Sequence, residues 1–293
     1  MPYEGVSTLF QNLVMNTQLT PEQYDDASGK HHRVRAVLNQ AYYGITNNTA
    51  NSFVVGSYGK NTEIKPPSDI DILFCLPPSV YERFSKRSGN IQSQLLQEVK
   101  EVLQANWKST SMKADGQIIF VPFVTYAIEV LPTFLLQSTQ YWHADANNGG
   151  QWRTTDPKAE KERITTSNIA TKGKTIHLIK LAKAWKESRT VKIKSLVLEL
   201  LATNFLTQWQ HTNTTGYVYY DFMIRDFLNY LLGYKNSYVT IPGTGDVVFT
   251  GDLWVAQATF AYNAAIRAAD YGAEDKLSSA KTEWGSIFGN YLV

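Results

Sequence analysis

The chain has 293 residues, of which 43% are hydrophobic, 13% aromatic and 18% charged, with a net charge of +2. That length supports one globular unit or two lobes sharing a cleft, and the apolar content excludes disorder for most of it. A single cysteine, Cys75, excludes a disulfide framework, and His31, His32, His143, His177 and His211 lack the spacing of zinc ligands.

A reducing cytoplasm is the expected compartment. No basic segment leading into an apolar run opens the chain, so no secretory signal is expected. Ile118 to Leu136 approaches the length of a membrane span. Pro122, Glu129 and Pro132 interrupt it, and its β-branched and aromatic residues predict buried strands instead.

In chain order, a helical pattern covers about Ala27 to Gly44, and Phe53 to Val55 reads as a strand entering a glycine turn. Asp69 to Leu76 is extended and stops at Pro77 and Pro78. Apolar residues at 91, 95, 96, 99, 102 and 103 predict a helix capped by Asn90. Strands resume at Ile118. Tyr141 to Pro157, with Asn147, Asn148, Gly149 and Gly150, reads as a long loop between lobes, suited to a hinge or lid.

Beyond about Thr165 the pattern is mainly helical. Helices are expected at Lys174–Glu187, Ser195–Gln210, Tyr220–Leu232, Leu253–Tyr271 and Ala273–Phe288, with a glycine-rich turn at Gly243 to Gly245. The expected organisation is α+β, with a first lobe at 1–165 built on a mixed sheet and a helical lobe at 166–293. No internal repeat or low-complexity tract is present.

The chemistry concentrates in Gly56 Ser57 Tyr58 Gly59 Lys60 Asn61 Thr62 and the following Ser68 Asp69 Ile70 Asp71. Gly56 and Gly59 let the backbone turn sharply against a phosphate, Ser57 supplies a hydroxyl and Lys60 a charge. Alternation along a strand puts Asp69 and Asp71 on one face and Ile70 and Ile72 in the core. Two adjacent carboxylates repel and favour a divalent cation; oxygen ligands beside phosphate select magnesium, with manganese as the alternative. Glu129, flanked by Ile128 and Val130, is the candidate third ligand and base of a site for two ions.

The string GSYGKNTEIKPPSDIDILF, Gly56 to Phe74, resembles the GS motif and paired aspartates of polymerase beta-like nucleotidyltransferases, and is most similar to oligoadenylate synthetases, cyclic GMP-AMP synthase and bacterial CD-NTases. EVLPTF, Glu129 to Phe134, resembles that family's third-carboxylate strand, which commonly begins with Asp. IKLAKAWKES (Ile179 to Ser188), KSLVLELL (Lys194 to Leu201) and WGSIFGNYL (Trp284 to Leu292) extend the likeness over most of the chain.

The resemblance implies a polymerase beta-like nucleotidyltransferase lobe and a synthase of cyclic or short linear oligonucleotide signals in antiphage defence, which releases pyrophosphate. By it, Gly56, Ser57, Lys60, Thr62, Lys183 and Ser195 bind the donor triphosphate, while Asp69, Asp71 and Glu129 hold magnesium and catalyse. ATP is the first expected substrate, with GTP, UTP and CTP as further candidates. A monomer is expected, with no membrane or nucleic-acid surface, and an effector reached through the diffusible product. On a helical wheel Leu178, Leu181, Ala182 and Trp185 form one apolar face, with Lys180 and Lys183 pointing away; Lys180 reads as solvated. Leu196 stands where relatives often carry a base-stacking tyrosine, which leaves Tyr58, Tyr219 and Tyr220 as candidates. The competing readings are transfer to an RNA or small-molecule acceptor, and a nucleotide-binding module without catalysis.

Overall fold

The computed structural model describes residues 4–137 and 139–292, without the side chains at positions 115 and 137. Leu19–Lys161 form one compact unit, and the described residues before and after it form the other.

In the first unit, helix α2 runs from Pro21 to Tyr43, after α1 at Glu4–Asn16. It begins earlier than the apolar pattern indicates because Thr20 and Gln23 form a capping box with Pro21 at the first position. Strand β1 (Ser52–Val54) leads into a short helix α3 (Gly56–Lys60), and β2 (Ile70–Cys75) follows. Helix α4 (Pro78–Ser85) follows the proline pair, and α5 (Ile91–Asn106) starts at Asn90, whose side chain accepts from the Ser93 amide. Then come β3 (Lys113–Asp115), β4 (Ile118–Pro122), β5 (Ala127–Gln137), β6 (Gln140–Asp145) and β7 (Gln151–Thr155).

These seven strands form one mixed sheet. Strand β5 lies parallel to β2 on one side; on the other, its first half pairs antiparallel with β4 and its second half with β6. Ile70, Ile72, Phe74, Ile128 and Val130 are buried with residues of α2 and α5 in one core. Leu73 is buried as well, so beyond Asp71 both faces of β2 are covered.

The long loop expected at 141–157 is instead a hairpin. Tyr141 to Asp145 pair in register with Thr155 to Gln151, and the Asn-Asn-Gly-Gly run is its turn. Buried Tyr141, His143 and Ala144, with Trp142 stacked on Trp152 across the strands, give this pair the side-chain contacts of a sheet.

Helix α6 (Pro157–Ala170) spans the division, which falls between Lys161 and Glu162. The second unit contains α7 (Lys174–Ser188), α8 (Ser195–Leu206), α9 (Tyr220–Leu232), a hairpin of β8 (Tyr238–Thr240) and β9 (Val247–Phe249), α10 (Val255–Ala273) and α11 (Leu277–Phe288). The glycine turn at 243–245 joins the two strands of that hairpin. Helix α1 belongs to this unit and not to the residues that follow it in sequence, a difference from the expected division at 165. The cause is apolar: Val6, Phe10, Leu13 and Val14 are buried, and Phe10 meets Trp284 edge to face at 4.9 Å. Among the described residues no helix is long and apolar enough to cross a membrane.

Candidate active site

The turn after β1 is held by backbone bonds. The Val55 amide donates to the Asp71 carbonyl at 2.9 Å, tying the turn to β2, and the Thr62 amide donates to the Ser57 carbonyl at 2.9 Å. Gly56 has φ +58°, a conformation that side chains disfavour, and a Cβ there would lie 1.7 Å from Asp71 Oδ2. A Cβ on Gly59 would meet the Val54 carbonyl oxygen at 2.3 Å. The two glycines therefore let the turn close against β1 and admit the Asp71 carboxylate beside it.

Asp71 and Glu129 stand directly opposite each other in the parallel register of β2 and β5. Ile70 and Ile128, and Ile72 and Val130, pair on either side of them and are fully buried, which turns both acids to the other face. Asp69 lies just before β2 and is exposed, so it guards the strand entrance and is not part of the ladder. Burial pushes the Glu129 carboxyl up to about 7, helped by the charges of Asp71 and then Asp69 and by a hydrogen bond with Asp71. Unit charges one strand spacing apart repel by roughly 3 kcal/mol at a protein-like dielectric. A proton on Glu129 relieves this.

The donor set, three carboxylates beside a phosphate-sized turn, fits a hard divalent cation, which would take the place of that shared proton. Among the described residues no three such groups already stand as a formed metal cage. The chemistry of the cluster fits such an ion.

The remaining predicted residues lie in varied settings. Lys60 pairs with Glu160 of α6 at 3.2 Å. Thr62 is fully buried, its amide closing the turn. Lys183 is buried and pairs with Glu199 at 2.6 Å, and Ser195 accepts from Lys186 at 2.9 Å. Lys180 is also buried, at 5% exposure, which corrects its reading as solvated: α7 is covered nearly all round, so the wheel's polar side is interior too.

The base-stacking candidates fare poorly. Tyr220 is 1% exposed, Tyr219 already stacks on His211 at 4.2 Å between ring centres, and Tyr58 packs its ring edge-on against Tyr126. Sequence reasoning missed Glu160 and Glu199, the counter-charges of two predicted lysines. Glu160 lies in a polar helix where only the three-dimensional pairing marks it, whereas Glu199 stands alone in the apolar run Leu196 to Leu201, a signal that could have found it.

The sequence matches the Second Messenger Oligonucleotide or Dinucleotide Synthetase domain over residues 5–168, more than half of the chain. The chain belongs to this family. A probable cyclic nucleotide synthase of Bacillus cereus strain VD146 is 22% identical over 51% of this chain, so the match spans about half of that relative, 54%. Solved structures share the fold. CdnC of Escherichia coli MS115-1, in its complex with HORMA-deltaN, matches with TM-score 0.67 at 14% identity, covering 100% of this chain and 98% of its own. The 3'-deoxy GTP form of Escherichia coli DncV matches with TM-score 0.68 at 15% identity, covering 96% and 94%. CdnG of Bradyrhizobium diazoefficiens, solved with GTP, matches with TM-score 0.68 at 10% identity over the same shares. The α+β arrangement, a mixed sheet with helices following it, is thus that of this synthetase family.

Proposed function

We propose that this member of the synthetase family joins nucleoside triphosphates, ATP first among them, into a cyclic or short linear oligonucleotide signal for antiphage defence. A ribose hydroxyl of one nucleotide attacks the α-phosphorus of another; the new P–O bond forms as the bond to the bridging oxygen breaks, and pyrophosphate leaves. The observation that carries this reading is the register of Asp71 opposite Glu129 beside the Gly56 turn.

Asp69, Asp71 and Glu129 are the residues that would hold two divalent cations, magnesium by donor type with manganese as the alternative, and those ions would offset the negative charge of the triphosphate and leaving group. The chain's own groups do the rest. Gly56 and Ser57 bring backbone and hydroxyl against the phosphates, with Thr62 closing the turn beneath them. Lys60, held by Glu160, adds positive charge there. Glu129 takes the proton of the attacking hydroxyl on a carboxylate oxygen, a role open to it once cations offset the Asp69 and Asp71 charges and leave it ionised. In the helical unit, Lys183 and Ser195 contact the donor triphosphate, an assignment supported by the motif resemblance.

The test is acceptor-free. Purified protein with magnesium and α-labelled triphosphates should release pyrophosphate and convert label into products whose masses equal joined nucleotides. Product that appears only when RNA or a small-molecule acceptor is added would replace the synthase reading with acceptor transfer. Binding without any product would leave a nucleotide-binding module.

A further inference from the structure

Helices α7 and α8 meet through two polar contacts. Lys183 Nζ donates to Glu199 Oε1 at 2.6 Å, and Lys186 Nζ donates to Ser195 Oγ at 2.9 Å. Residues 183 and 186 lie one turn apart on α7, as do 195 and 199 on α8, so the contacts are successive rungs of one antiparallel seam. The inner rung is buried, with Lys183 7% and Glu199 3% exposed, whereas Lys186 and Ser195 are half-buried.

A buried ion pair seldom stabilises a fold more than apolar residues of the same volume would, because stripping water from both charges offsets their attraction. What the inner rung does supply is direction: a long, flexible lysine stem is held with its ammonium at one place. The outer rung works on a hydroxyl. Ser195 Oγ accepts from the ammonium, so its own hydrogen points elsewhere and is available to donate. Two ammonium groups against one carboxylate leave the seam with one net positive charge, at its more open end.

We propose that Glu199 and Lys186 are positioning residues for the phosphate chain of a nucleoside triphosphate: Glu199 fixes the Lys183 ammonium, and Lys186 turns the Ser195 hydroxyl outward as a donor. The proposal rests on the assignment of Lys183 and Ser195 to the donor triphosphate. Nothing in the Asp69, Asp71 and Glu129 cluster enters it.

The experiment measures kcat and KM for ATP, with melting temperature as a fold control, in Glu199→Gln, Lys186→Gln, Lys186→Arg, Lys183→Met, Ser195→Ala and the rung double variants. Glu199→Gln and Lys186→Gln are each expected to raise KM roughly tenfold with kcat within about twofold, the scale of one charge-assisted hydrogen bond. Lys186→Arg is expected to restore KM to within about twofold of the parent. Within each rung the double variant should be no worse than the poorer single one, since each positioning residue acts through its partner. An unchanged KM, or effects that multiply within a rung, overturns the proposal. The failure of the underlying assignment looks different: Lys183→Met and Ser195→Ala would themselves leave KM for ATP unmoved. Lys186→Gln alters a half-exposed side chain, so the proposal stays testable even if Glu199→Gln fails to fold. Binding of α,β-methylene ATP by calorimetry reads the same differences without turnover.

Discussion

Two places in this molecule gather charge, and they do so in opposite ways. At the paired ends of β2 and β5, Asp71, Glu129 and Asp69 are like charges brought together, and the Glu129 carboxyl answers by holding a proton up to about pH 7. Between α7 and α8, Lys183 meets its counter-charge Glu199 inside the unit. The first sets like charges side by side, a repulsion that a divalent cation would relieve; the second joins opposite charges within one unit, with the Lys186 ammonium one turn further along. Like charges held side by side are a common mark of a ligand site, and a pair of opposite charges supports a neighbouring contact.

The largest effect is expected from removing the like charges themselves. Asp69→Asn with Asp71→Asn should lower product formation by more than about a thousandfold while the melting temperature stays level or rises, because repulsion is relieved. A fall in both, measured by product assay and thermal melt, would make the acids structural. Next in size is Gly56→Ala. Its Cβ falls 1.7 Å from Asp71 Oδ2 at a φ of +58°, so the turn and the carboxylate must separate. A loss of about a hundredfold in kcat/KM is expected, with roughly 1–3 kcal/mol of stability, read by kinetics and denaturant unfolding.

Acid acts on one histidine in each unit. Burial is the main cause that lowers both His31 and His177 to about 4, aided by the neighbouring His32 and Arg35 in one case and Lys180 and Lys174 in the other. Between pH 6.5 and 4 the unfolded chain therefore binds protons that the folded chain does not. Stability is full above that window and falls as pH drops through it, by about 2 kcal/mol for the two together after allowance for partial exposure. His177→Gln should flatten the slope of unfolding free energy against pH, and an unchanged slope would count against burial as the cause. The smallest effect on activity is that of Lys60→Met, which removes a mostly buried pair with Glu160. It should raise KM for ATP only a few-fold, and taking that cation from the Glu160 carboxylate should cost roughly 1–3 kcal/mol of stability, read by denaturant unfolding.

Much of the acid site was legible in the chain itself. DIDILF and AIEVLP alternate cleanly enough to place Asp71 and Glu129 on one face, and Gly56 stood where only a glycine fits. Asp69 lies one step outside its expected strand, because pairing with β5 begins at Ile70. The hairpin at 140–155 was hidden by its own turn: Asn-Asn-Gly-Gly reads as a loop until Trp142 and Trp152 are seen stacked across it. The start of α2 was announced by Thr20 and Gln23, a capping signal seven residues ahead of the apolar pattern. Helix α1 carries its own signal in Val6, Phe10, Leu13 and Val14 at helical spacing, but the unit it joins, and the burial of Lys180, depend on contacts with distant parts of the chain.

In the proposed reaction Asp69, Asp71 and Glu129 close on divalent metal when a triphosphate is present. A crystal grown with manganese and α,β-methylene ATP tests it directly. Anomalous density within bonding distance of all three carboxylates and the phosphates is the predicted result; manganese bound elsewhere, with Glu129 turned away from the phosphates, would contradict it.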